Sequence, residues 1–122
     1  MSASRNKERI QTMLDEVFND KRPDRLAEYW IAAIRGEAER LHEILFEAFP
    51  DLHVRIDDMI AEGDRVVVRL WFTGTHDGQF QGLPATGRHV EFGAIRIYRL
   101  ADGQVTETWA YQDAAGLLQQ LG

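Results

Sequence analysis

Residues 74–88 read GTHDGQFQGLPATGR, and the fold turns on what this stretch is. Its four glycines and its histidine invite a ligand-binding reading, because glycine lets backbone donors approach an anion closely. The spacing matches no phosphate motif. A Walker loop needs GxxxxGK followed by Ser or Thr, and a dinucleotide loop needs GxGxxG between a strand and a helix. Here RVVVRLWF (65–72) precedes the stretch and HVEFGAIRIYRL (89–100) follows it, so it reads as the connection between two strands.

Working outward, the flanks alternate with the period of a half-buried sheet. Val66, Val68, Leu70 and Phe72 share one face, and Val67, Arg69, Trp71 and Thr73 share the other. In the next strand Phe92, Ala94, Arg96, Tyr98 and Leu100 oppose Gly93, Ile95, Ile97 and Arg99. The faces are mixed: one suits ordinary packing, while the other combines apolar groups with arginine, as a pocket or a subunit contact would. LHVRIDDMIAEGD and QVTETWAYQD read as two further strands, with EGD and ADG as turns. The first fifty residues instead have helical spacing. Ile10, Leu14, Val17 and Phe18 mark a helix over 7–19, and Trp30, Ile34, Leu41, Leu45 and Phe49 mark another over 25–48, with a bend expected at Gly36. Helices followed by an antiparallel meander predict an α+β domain whose helices cover one sheet face, with residues 1–122 as one domain.

Composition excludes several classes. The chain of 122 residues has 14 basic and 20 acidic side chains, a formal charge of −6, and neither half carries a strongly basic footprint. Nucleic-acid binding is therefore not expected. Cysteine is absent, which removes disulfides, a thiol nucleophile and zinc–thiolate sites. No apolar run reaches the roughly 20 residues of a membrane span, and none resembles a signal peptide, so a soluble cytoplasmic protein is expected.

FPDLH, AEGDRVVVR, GTHDGQFQGLPATGR, the ADG turn and WAYQDAAGLLQQLG together resemble the SnoaL-like polyketide cyclases, within the nuclear transport factor 2-like superfamily. The resemblance runs from about Phe49 to Gly122. It implies a cone-like α+β barrel, a cavity between a curved, mainly antiparallel sheet and the N-terminal helices, and homodimers. It also makes Gly78, Gly82 and Gly87 solutions for turns. The N-terminal half departs from the family pattern: a strand bearing histidine and aspartate is expected before the long helix, and RLAEYW runs almost directly into IAAIRGEAERLHEILFEAFPD. The catalytic places depart too. The family's acid/base position, and the glutamine and histidine that assist it, fall on Ala110, Ala94 and Arg96, and the histidine of its EHW motif is Thr108. Alanine cannot move a proton, and a guanidinium does not release one. The resemblance thus implies a degenerate cyclase site.

Among the remaining chemistry-bearing residues, Arg96 leads. It shares a face with Phe92, Ala94 and Tyr98, where a cation could hold a carboxylate, a phenolate or a developing enolate; the alternative is an arginine paired with an acid or lying on a dimer surface. Arg69 and Trp71 are a second polar fixture and an aromatic wall for the same pocket. Asp113 and His53 are the candidate acid/base groups, against an N-cap role for Asp113 and a hydrogen-bonded sheet role for His53. His76 and His89 lack partners at ligand spacing and are expected to be partly exposed or locally satisfied; no metal or cofactor is expected. His42, on the long helix, is a weaker candidate still. Steroid-isomerase-like and epoxide-hydrolase-like mechanisms would need Asp57, Asp58 or Asp113 to converge on Arg69 or Arg96, which spacing does not establish. Three functions stay open: binding of a small apolar or anionic organic metabolite, an enzyme with relocated acid/base residues, and a non-catalytic dimerisation module.

Overall fold

The computed structural model describes residues 2–122. Four antiparallel strands follow one another in space as in sequence: β1 (His53–Glu62), β2 (Arg65–Thr75), β3 (His89–Ala101) and β4 (Gln104–Gln112). The inward faces are the ones alternation picks out. Val66, Val68, Leu70 and Phe72 of β2 pair with Tyr98, Arg96, Ala94 and Phe92 of β3, and all eight side chains are buried. Register shifts between Ile56 and Asp58 and between Arg99 and Leu100 put an extra residue into the outer ladders, which increases local twist and curves the sheet. Tight turns close the hairpins: Asp102 and Gly103 both adopt positive φ, 51° and 79°, as a two-residue hairpin turn requires.

Helices cover the concave side. α1 (Ala3–Leu14) runs into a π-helical turn at Asp15–Asn19, and its buried stripe of Ile10, Leu14, Val17 and Phe18 packs on β1 and β2. A short α2 (Leu26–Tyr29) and the long α3 (Ala32–Ala48) follow, and α4 (Ala114–Leu121) closes against β3. The second helix does not run unbroken from residue 25, and its break is not at Gly36. The backbone is extended at Trp30 and Ile31, where Trp30 forms a single parallel bridge to Val105 and the Ile31 amide donates to the Val105 carbonyl at 3.2 Å. A contact 75 residues away in sequence thus overrides local helix propensity, while Gly36 lies inside α3 with open space beside it. As the sequence suggests, no strand precedes α3 among the described residues, and this single bridge is the sheet contact made there.

The glycine-rich connection is a clasp over the end of α3. Gly78 packs so closely on the helix that a Cβ there would lie 1.8 Å from the Glu47 carbonyl oxygen. Gln81 and Gly82, at φ 49° and 81°, form the turn that brings Phe80 and Leu83 together. The amides of Asp77 and Gly78 donate to Ala48, and that of Gly87 to His76, so these donors are engaged with the chain itself. His76 is fully buried rather than partly exposed: its Nδ1 lies 2.9 Å from Thr86 Oγ1 and pins the connection shut. Among the described residues, no helix is long and apolar enough to cross a membrane.

Candidate functional site

Between α2–α3 and the inward face of β3–β4 lies a cavity of about 440 Å³. One wall is helical. Trp30 ends α2, and Ile34, Glu37, Ala38, Leu41 and His42 follow along α3 at spacings that keep them on neighbouring turns of one side. The opposite wall is sheet: Arg96 of β3 pairs with Ala110 of β4, and Tyr98 with Thr108. Arg96, Thr108 and Ala110 line the space directly, and small side chains at Ala38 and Ala110 keep it open. Tyr98 lies fully buried beside it, edge-on to Trp30 with ring centroids 6.1 Å apart.

Electrostatics sets this cavity apart from the rest of the interior. Arg96 is 5% exposed, and among the described residues no carboxylate pairs with it. Its Nε is enclosed without a hydrogen-bond partner. The rings of Phe18 and Phe72, with centroids 5.4 and 5.7 Å from the guanidinium carbon, give cation–π support but no counter-charge. His42 is equally buried and packs on the same Phe18 ring at 4.4 Å. Burial first, and the Arg96 cation second, push its pKa down from 6.5 to about 3, so the imidazole is neutral near pH 7. His42 Nδ1 and the Tyr98 hydroxyl are also enclosed without partners. Buried polar groups are ordinarily satisfied; Asn6 Oδ1 and His76 Nε2 are also enclosed without partners elsewhere in the interior, but His42 and Arg96 are the two such side chains that line this cavity among the described residues. The carboxylates at the cavity differ: Glu37 is exposed, and Glu107 is held by Arg99 at 2.9 Å.

The remaining residues singled out from the sequence fall elsewhere. Arg69 and Trp71 do not share the cavity, since strand alternation turns them to the outer face. There Arg69 lies 3.7 Å from Asp57, and the Trp71 indole donates to Glu91 at 3.2 Å. Phe92 and Ala94 point inward but belong to the packed core, with Phe92 stacked on Phe72 at 5.0 Å. Asp113 sits at the N-terminus of α4 and accepts from the Gly116 amide at 2.9 Å, a helix cap outside the cavity. His53 is exposed at the start of β1. Sequence reasoning counted Trp30 and Trp109 among the aromatics that could line a pocket or pack the core, but undervalued His42 and did not place Ile34 and Leu41 at a site. The available signal was the spacing of Ala38, His42 and Leu45, which puts the histidine on the helix face directed at the sheet.

A family model described as SnoaL-like polyketide cyclase matches residues 8–121. The chain is similar to the nogalonic acid methyl ester cyclase of Streptomyces nogalater, with 30% identity over 93 residues that make up 76% of this chain and 60% of that one. It therefore spans less than two thirds of that relative's length. Among solved structures it is similar to AclR of Streptomyces galilaeus, described as a candidate hydroxylase, with 29% identity and a TM-score of 0.92 over 99% of this chain and 83% of that one. A candidate SnoaL-like polyketide cyclase of Jannaschia sp. CCS1 gives 28% identity and a TM-score of 0.90, over 98% and 92% of the two chains.

Proposed function

The chain belongs to the SnoaL-like polyketide cyclase family, and from that premise we propose that its cavity binds a small organic anion with an apolar body, held by Arg96, without the family's usual acid/base chemistry. One observation carries this reading: a buried guanidinium without a carboxylate partner faces a cavity whose other walls include Trp30, Ile34 and Leu41. An unpaired charge in a low-dielectric interior is costly, and a ligand carboxylate or phenolate would supply both the missing charge and strong charge-assisted hydrogen bonds. The apolar walls would take up the carbon skeleton. A ring closure of the kind named for the Streptomyces nogalater relative needs a group that moves a proton. The family positions for it hold Ala110 and Ala94, and Asp113 and His53 lie outside the cavity. Catalysis by relocated groups is the second reading. It is favoured by Glu37 and His42, which line the same cavity as Arg96.

Native mass spectrometry of freshly purified protein, followed by extraction, tests the main reading. A single acidic molecule at one per chain, lost in Arg96→Met, is the expected result. A retained neutral molecule, or retention indifferent to Arg96→Met, would overturn it.

The homodimer belongs to the same proposal. On the outer face Ile60, Ile95 and Tyr111 are 62%, 46% and 67% exposed, and grouped exposed apolar side chains favour a contact surface. A second copy of this chain suits the face, because Arg55 and Arg69 stand there beside Asp57 and Glu91, and a two-fold axis can oppose unlike charges. Light scattering should give a dimer that Ile95→Glu splits into monomers. A wild-type monomer at high concentration would contradict this.

A further inference from the structure

We propose that His42 is a second anchor of the anion site, donating its Nε2 hydrogen to the same anionic group that Arg96 holds, so that the cavity selects a monoanion over a dianion or a neutral ester. The proposal rests on the anion-binding reading and adds to it a residue and a charge preference. Geometry supports it: His42 comes from the helical wall and Arg96 from the sheet wall, both line the cavity, and both pack on Phe18.

The unsatisfied atoms fix the direction of donation. A neutral imidazole carries one hydrogen, on Nδ1 or on Nε2. Nδ1 is enclosed with no partner, whereas Nε2 is not among the enclosed unpartnered atoms. An enclosed N–H with no acceptor is the rarer and costlier arrangement, so the hydrogen belongs on Nε2 and the bare lone pair on Nδ1. The other charged or titratable groups around the space are Arg96 and Tyr98 from β3, Glu37 from α3, and Glu107 from β4, engaged by Arg99. Burial and Arg96 together oppose a second positive charge on His42. The site thus offers one cation and one neutral donor. A monoanion is matched by that pair, a dianion would bury an uncompensated charge, and an ester would leave the guanidinium unpaired.

Two readouts test this on the intact chain. In ligand-free 15N-labelled protein, imidazole correlations assigned with His42→Phe should show the Nε2–H tautomer, unchanged from about pH 7.5 to about pH 4.5. An Nδ1–H tautomer, or protonation near pH 6, would overturn the inference without touching the Arg96 reading. The second readout is calorimetric titration with 2-naphthoate, its methyl ester and 2-naphthyl phosphate at pH 8. The carboxylate should bind most tightly. His42→Phe should weaken it about tenfold or more, the scale of a lost hydrogen bond to a charged group, while His42→Gln, which keeps an N–H donor, recovers most of the affinity. Urea unfolding confirms that the variants fold. Carboxylate binding that needs Arg96 but is indifferent to His42→Phe removes His42 alone from the site. Equal or tighter binding of the phosphate contradicts the charge preference, and no binding of any probe by the wild type removes both the anion site and this inference.

Discussion

Arg96 and Arg99 stand three residues apart on one strand and have opposite surroundings. Arg99 points to the outer face, where its guanidinium bonds Asp64 and Glu107, both at 2.9 Å. Arg96 points inward, packs on aromatic rings, and among the described residues forms no ion pair with a carboxylate. The contrast extends to the two faces around them. Outside, Arg55 pairs with Asp57 and the Trp71 indole with Glu91; inside, Arg96, His42 and Tyr98 each keep an enclosed polar atom unsatisfied. The outer charges sit in water, where each pair contributes little to stability. The inner groups have been desolvated without compensation inside the chain, and the anion proposed above would relieve that asymmetry.

If the contrast holds, the largest effect belongs to Arg96→Met. Replacing a buried unpaired cation by an apolar side chain of similar length should raise stability by about 1–3 kcal/mol in urea unfolding. A loss of similar size would mean that Arg96 is satisfied by the protein itself, and the difference between the faces would disappear.

Next comes the pH dependence. His42 has a folded pKa of about 3 against 6.5 as the ordinary value, so below pH 6.5 the unfolded chain takes up a proton that the folded chain refuses. Its contribution to stability is therefore present above pH 6.5 and lost as pH falls from there toward 3. The slope attributable to His42 should approach about 1.4 kcal/mol per pH unit. Between about pH 6 and pH 4.5 this is separated from the acids held low by arginine, such as Asp57 and Asp64, which act at lower pH in the same direction. His42→Phe should remove that slope; an unchanged slope would place the titrating group elsewhere. The smallest effect is Arg99→Met, which should lower the unfolding midpoint only slightly and leave ligand binding untouched.

Much of this arrangement was legible in the sequence. Alternation assigned Arg96 to the same face as Phe92, Ala94 and Tyr98, the ADG turn formed at Asp102 and Gly103, and the glycines of 74–88 became turns and a close approach. The illegible parts depend on contacts distant in sequence. The break at Trp30–Ile31 is held by Val105, which no local window contains. Arg69 and Trp71 could not be separated from the pocket, because alternation divides a strand into two faces without saying which one the helices cover. His42 remained undervalued because its partner surface is a strand more than fifty residues further along the chain.

The decisive experiment is a side-by-side titration of wild type and Arg96→Met with 2-naphthoate. Saturable binding at one per chain, weakened about 10–100-fold by the substitution with the fold intact, is the expected result for a carboxylate held by a buried guanidinium. Equal affinity in the two proteins would contradict it and leave the cavity without its anchor.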